Sequence, residues 1–79
     1  MEVTLNLFAT LLQYMPHKAT GSPCTIEVDE GTRVRDLLKE LKIPPEKAKL
    51  VFLNGVHSKG DEILNEGDRV GVFPPVGGG

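Results

Sequence analysis

The sequence has no tryptophan, a single cysteine, and only three phenylalanines and one tyrosine in its 79 residues. One cysteine cannot form a disulfide within the chain, which is typical of a cytoplasmic protein. No apolar run approaches the ~20 residues of a membrane-spanning helix, and no basic and apolar leader opens the chain. These shortages argue against a disulfide-stapled secreted fold and against a membrane protein.

Charge is also moderate, with a formal net charge of −2 and no block of consecutive basic residues. Because the basic residues are scattered and aromatic residues are few, we expect no nucleic-acid partner. The sequence lacks a Ser/His/Asp set, a glycine-rich phosphate loop and the ligand spacing of a zinc site. It therefore predicts no hydrolase, nucleotide-binding enzyme or metalloprotein, and no bound cofactor.

The length indicates one small domain, and hydrophobic periodicity assigns its elements. Apolar positions at i, i+3, i+4 and i+7 predict one amphipathic helix from about Arg33 to Lys42, with Thr32 as N-cap and an end before Pro44. A short helix-like stretch, Ala9–Met15, stops at Pro16. Alternating apolar residues and turn signals predict the strands: 2–8, 24–29, 49–53, 56–57 and 69–73. The fold class is α+β, a mixed sheet of four or five strands on one main helix.

The last strand is followed by two prolines and a tail that ends in three glycines. Pro74 and Pro75 lack a backbone N–H and end the strand. We expect residues 1–75 to form the domain and residues 76–79 a flexible tail that ends in the carboxylate of Gly79. Glycines offer no side chain to a core but can enter a narrow channel. Such a tail can also be a frayed terminus without function.

The order of elements and the end of the chain resemble a known family. The segments Ile63-Leu64-Asn65-Glu66-Gly67-Asp68-Arg69-Val70 and Phe73-Pro74-Pro75-Val76-Gly77-Gly78-Gly79 look like the small subunit of molybdopterin synthase. That subunit is a ubiquitin-like sulfur carrier of the ThiS/MoaD type with a β-grasp fold. Gly78 and Gly79 match the terminal pair of the family, and Gly77 occupies its variable position. A sister group, the sulfur carriers of thiamine synthesis, shares the fold and the glycine pair but usually lacks the double proline.

The resemblance implies a carrier that is itself no enzyme. An adenylating enzyme of the E1 type (MoeB/ThiF-like) would activate the Gly79 carboxylate with ATP, and a sulfur donor protein would convert it to a thiocarboxylate. The tail would then enter the large subunit of molybdopterin synthase (MoaE-like), which passes the sulfur to a pterin precursor. Partner contacts are expected from Phe73, Pro74, Pro75, Val76, Gly77 and Gly78. The pathway could instead make thiazole or an amino acid, or the protein could be a ubiquitin-like modifier.

Other residues admit a structural and a functional interpretation. Phe73 could belong to the core or to a docking patch with Val76. Phe8 falls on the polar side of the first strand and could join that patch, but it is assigned to the core because both faces of a central strand are often buried. Cys24 could relay sulfur, although a lone cysteine is usually a small buried apolar residue. The remaining polar groups are assigned to solvated turns, with a recognition rim as the alternative for the carboxylates: His17, His57, Asp61, Glu62, Glu66 and Asp68.

Overall fold

A computed structural model describes residues 1–16 and 21–75 of the chain. They form a five-stranded sheet in the order β2-β1-β5-β3-β4, with one α-helix, α1 (Val34–Glu40). Two short 3-10 segments, Ala9–Tyr14 and Pro45–Lys47, connect the elements. The strands are β1 (Glu2–Leu7), β2 (Cys24–Glu27), β3 (Leu50–Leu53), β4 (Val56–His57) and β5 (Arg69–Phe73).

β5 lies at the centre of the sheet. It pairs parallel with β1, where Leu5 aligns with Val70, and antiparallel with β3, where Val51 aligns with Val72. β1 and β2 form an antiparallel hairpin on one side, and β3 and β4 form another on the other side. This mixed sheet over one main helix confirms the predicted α+β class and the ubiquitin-like β-grasp arrangement.

The core fills the space between one face of the sheet and the helix. Alternate residues of the central strands point inward and meet two side chains of the helix, and each of these residues is no more than 2% exposed. This alternation follows from the two-residue period of a strand. In the part of the chain that the structure describes, no helix covers the other face of the sheet. The inner set is Val3, Leu5 and Leu7 of β1, Val70 and Val72 of β5, and Val34 and Leu37 of α1.

The helix is shorter than the periodicity predicts, and its caps differ from those predicted. Thr32 is not the N-cap: the N-cap is Arg33, whose backbone N–H donates to Asp36 Oδ2 at 3.0 Å. At the other end Lys42 has φ +62°, and the Ile43 amide donates to Leu38 O at 3.1 Å. That bond pattern is a Schellman motif, so the chain has already left the helix before the proline can act.

The Asn54-Gly55 turn between β3 and β4 is as predicted. Both residues have positive φ, +53° and +83°, which a type I′ turn requires at both central positions. The Asn54 side chain also fastens this turn to the start of β5, since its Oδ1 accepts from the Arg69 amide at 2.9 Å and its Nδ2 donates to Asp68 Oδ1 at 2.9 Å. The hairpin is therefore tied to the central strand.

Candidate functional site

The outer face of the sheet carries all three phenylalanines of the chain. Phe8 follows β1, Phe52 lies in β3 and Phe73 ends β5, and none of them belongs to the buried core. The rings of Phe8 and Phe73 stack with centroids 4.1 Å apart and planes 5° apart. Phe52 meets Phe73 edge-on at 5.7 Å. We call Phe8, Phe52 and Phe73 the aromatic surface.

This arrangement settles two assignments made from the sequence. Phe73 is a half-buried surface residue and not a core residue, which agrees with the docking-patch alternative. The core assignment of Phe8 is wrong, because only one face of this central strand is covered by the helix and Phe8 lies on the other. The alternation of residues along β1 already indicated this placement. Phe8 shares the outer face with Thr4 and Asn6, whereas Val3 and Leu5 lie on the inner face.

A shallow apolar cavity of about 500 Å³ lies over the aromatic surface. Gly71 forms part of its lining, and a Cβ there would sit 3.8 Å from the Phe8 ring and 4.0 Å from the Phe73 ring. A side chain at this position would lie against both rings, so the glycine leaves the sheet surface beside the stacked pair uncovered. The cavity is lined by Thr4, Asn6, Phe8, Pro23, Phe52, Gly55, Arg69, Val70, Gly71 and Phe73.

The border of this cavity is held by polar contacts to the loop before β2. Ser22 Oγ accepts a hydrogen bond from the Leu7 amide at 2.9 Å and donates one to Asn6 Oδ1. These contacts fix the segment that brings Pro23 to the cavity. Next to it, His57 packs its ring edge-on against Phe52 with centroids 5.8 Å apart. His57 is exposed, which agrees with a solvated histidine beside a turn.

The tail begins where the aromatic surface ends. Phe73 is the last residue of β5, Pro74 is half-buried and Pro75 is exposed. The other predicted site residues, Val76, Gly77, Gly78 and Gly79, lie outside the described residues. Their four positions span at most roughly 13–14 Å beyond Pro75 when fully extended.

Two other candidates for chemistry, Cys24 and Glu62, are part of the packing and hydrogen bonding of the fold. Cys24 is half-buried on the inner face of β2, opposite Leu5, and burial raises the pKa of its thiol. A raised pKa lowers the thiolate fraction, which disfavours nucleophilic sulfur chemistry. The Glu62 carboxylate accepts from Ser58 Oγ at 2.6 Å and from the Gly60 amide at 3.1 Å. His17 lies outside the described residues.

Metal-binding clusters and membrane-spanning helices are both missing from the described part of the chain. Across residues 1–16 and 21–75, no group of three or more His, Cys, Asp or Glu side chains is placed to hold a metal ion. No helix in these ranges has the length and hydropathy needed to cross a bilayer.

The sequence matches a known protein family over most of its length. Residues 12–79 match the family model of ThiS. The chain therefore belongs to the ThiS family, and it is a ubiquitin-like sulfur carrier of the ThiS/MoaD type rather than an enzyme in its own right. A search of curated proteins finds no match.

Solved structures with the same fold come from several organisms. A putative molybdopterin converting factor subunit 1 from Pyrococcus furiosus is 36% identical, with 95% of this chain and 98% of that chain covered and a TM-score of 0.69. SAMP1 from Haloferax volcanii is 24% identical over the whole of both chains, with a TM-score of 0.73. A complex of subunits 1 and 2 of the molybdopterin-converting factor from Helicobacter pylori matches at 21% identity over the whole of both chains, with a TM-score of 0.60. The last two are similar in fold alone.

Proposed function

We propose that this protein is the small subunit of molybdopterin synthase and carries sulfur as a thiocarboxylate on Gly79. The observation that carries the proposal is the segment Phe73-Pro74-Pro75-Val76-Gly77-Gly78-Gly79 at the end of the central strand. The 36% identity to a protein named as a putative molybdopterin converting factor subunit 1 supports the same pathway. The two prolines support molybdopterin synthesis over the thiamine pathway, whose carriers usually lack them.

The proposed chemistry takes place at the carbonyl carbon of Gly79. A carboxylate is a poor electrophile, so an E1-like adenylating enzyme first joins it to AMP from ATP and releases pyrophosphate. Hydrosulfide delivered by a sulfur donor protein then attacks the carbonyl carbon of the acyl-adenylate. A C–S bond replaces the C–O bond to AMP, AMP leaves, and loss of the proton from sulfur gives the thiocarboxylate. Glycine suits this position because no Cβ hinders the attack. The domain supplies no acid, base or metal and acts as a co-substrate.

In this proposal, partner proteins bind the domain through the aromatic surface. Exposed apolar clusters of this kind mark protein interfaces, and aromatic residues are enriched among the contacts that carry binding energy. The surface adjoins the start of the tail, so a partner that covers Phe73 can receive the tail in the same binding event. The adenylating enzyme and the MoaE-like large subunit would use this surface in turn, since both must reach Gly79.

A loading experiment tests the carrier chemistry. The protein is incubated with an E1-like adenylating enzyme, ATP and sulfide, and its intact mass is measured. Replacement of one oxygen by sulfur should add about 16 Da, and a variant without Gly78 and Gly79 should gain nothing. Gly77→Ala is the matched control, because this position varies in the family and should still be loaded. Loading of the truncated variant, or none of the full chain with an active enzyme, refutes the proposal.

A second experiment tests the pathway. The loaded protein is mixed with a MoaE-like large subunit and the pterin precursor, or with a thiazole synthase and its substrates. Sulfur transfer only in the first mixture supports molybdopterin synthesis, and transfer only in the second assigns the thiamine pathway. Lysine-linked conjugates in cell extract that disappear when Gly79 is deleted would instead identify a protein modifier.

A further inference from the structure

The charges of this chain are divided between its middle and its two ends. Residues 33–59 hold seven of the nine Lys and Arg residues but only three of the eleven Asp and Glu residues, so this segment is positive within a chain of net charge −2. No consecutive run reveals the division, because the basic residues are spaced along the segment. They are Arg33, Arg35, Lys39, Lys42, Lys47, Lys49 and Lys59.

The fold gathers part of this segment around a groove between α1 and the loop after β4. The groove has a volume of about 260 Å³, and all ten of its lining residues lie between positions 35 and 60. Half-buried Leu38, Ala48 and Val51 supply its apolar part, whereas Arg35, Lys49 and Lys59 are exposed. We call these six residues, with His57, the basic groove.

The walls of the basic groove are fixed by backbone hydrogen bonds. The Arg35 amide donates to Gly60 O at 2.9 Å and joins the helix to the loop. The Ser58 amide donates to Val51 O at 2.7 Å and joins the loop to β3. A groove held in this way is formed before any partner arrives, which lowers the entropic cost of binding.

One carboxylate contacts the same loop but is already engaged. Glu62 accepts hydrogen bonds from Ser58 Oγ and from the amides of Lys59 and Gly60. These hydrogen bonds stabilise the loop. Within residues 1–16 and 21–75, the Glu62 carboxylate makes no hydrogen bond to the ammonium group of Lys49 or Lys59.

The basic groove and the aromatic surface face in different directions. Val51 pairs with Val72 and points toward the helix side of the sheet, whereas Phe52 pairs with Gly71 and points toward the outer face. His57 lies at the boundary, because it lines the groove and also contacts the Phe52 ring. A partner on the aromatic surface therefore leaves the helix side of the basic groove open.

We propose that the basic groove docks an acidic peptide segment of a partner protein, with one aliphatic side chain seated on Leu38 and Val51. Arg35, Lys49 and Lys59 form the charged rim of the groove, which selects the acidic residues of the peptide. Leu38 and Val51 form its apolar floor, which selects the aliphatic residue. This contact goes beyond the proposed sulfur chemistry, since it uses neither the tail nor the aromatic surface. It would let the domain be held by one partner while the tail reacts with another.

The test is a titration of the full-length, ¹⁵N-labelled protein with an acetylated octapeptide of sequence EDELLDED, followed by amide chemical shifts. We expect the largest shifts at Arg35, Leu38, Val51 and Lys59. Neutralising two rim charges with Lys49→Gln and Lys59→Gln should weaken binding about three- to tenfold. The matched control is Lys39→Gln with Lys47→Gln, which removes the same charge outside the groove and should change the affinity less than about twofold.

Two other ligands separate the proposal from its alternatives. An EDESSDED peptide should bind at least about tenfold more weakly, because it has no side chain for the apolar floor. An oligouridylate octamer that binds this groove more tightly than the acidic peptide would overturn the proposal in favour of a nucleic-acid site. Equal losses from the two lysine pairs, or peptide shifts centred on Phe8 and Phe73, would also overturn it. None of these readouts depends on sulfur loading, so failure here leaves the proposed function standing.

Discussion

The stack of Phe8 on Phe73 gives the sharpest quantitative prediction. The variants are Phe8→Ala, Phe73→Ala and the double variant, and the quantity measured is the free energy of unfolding in urea. A stacked aromatic pair contributes about 0.5–1.5 kcal/mol beyond the area it buries. Because the rings lie 4.1 Å apart and nearly parallel, we expect a coupling energy in that range.

The single variants should show that these rings lie outside the core. Burying a phenylalanine completely contributes about 1.5–3 kcal/mol, so half of that plus the lost stack gives a loss of about 1.3–3 kcal/mol for Phe8→Ala. A core phenylalanine costs about 3–5 kcal/mol. The urea dependence, m, should stay unchanged, since the same surface is exposed on unfolding.

The control cycle pairs Phe8→Ala with Val56→Ala, whose side chain is 69% exposed at the far edge of the sheet. Changes at independent sites add within about 0.3–0.5 kcal/mol, so this cycle should show no coupling. A Phe8–Phe73 coupling that is equally small, or a loss above about 4 kcal/mol for Phe8→Ala alone, would refute the placement of Phe8 on the outer face.

Three further changes test other parts of the structure. The Ser58 hydroxyl and then backbone amides lower the pKa of Glu62 from 4.5 to about 2, so the contribution of this carboxylate to the stability of the fold is present above pH 4.5 and is lost as the pH falls toward 2. Ser58→Ala should raise the pKa of Glu62 in a carboxyl ¹³C titration, and an unchanged pKa would contradict the assignment. Asn54→Ala should cost about 2 kcal/mol in urea unfolding, because it removes two side-chain hydrogen bonds and places alanine at φ +53°, whereas the nearby control Asn65→Ala should stay within about 0.5 kcal/mol. Cys24→Ala should leave the mass gain on sulfur loading intact, and its loss would restore the relay interpretation.

Periodicity was sufficient for the strands and for the existence of the helix. β4 and β5 have the predicted bounds, and β1, β2 and β3 are one or two residues shorter. The helix end could not be predicted in the same way. Lys42 adopts a left-handed conformation that glycine normally supplies, so the residue type gave no signal for the Schellman motif. At the other end the Asp36 carboxylate accepts from the Arg33 amide, and arginine is not a residue type that indicates an N-cap.

The candidate site could also be predicted only in part from the sequence, because some of its residues are brought together by the fold. The proline pair and the glycines are read directly from the chain, and Phe73 was named with them. Phe8 and Phe52 join Phe73 only through strand pairing, because Phe73 is 65 positions from Phe8 and 21 positions from Phe52 in the chain. The basic groove is hidden in the same way, since Arg35, Lys49 and Lys59 are neighbours only once α1 packs beside β3 and the loop after β4.

The central position of β5 has a mechanical consequence. Tension applied to the chain beyond Phe73 acts along β5, which is hydrogen-bonded on both sides to β1 and β3. Because these bonds run across the strand direction, a pull along β5 loads both ladders together instead of opening them one bond at a time. Without β5 the sheet would separate into two hairpins, and an isolated hairpin is marginally stable at best. The strand that bears the tension on the tail is thus the one that is hardest to extract from the domain.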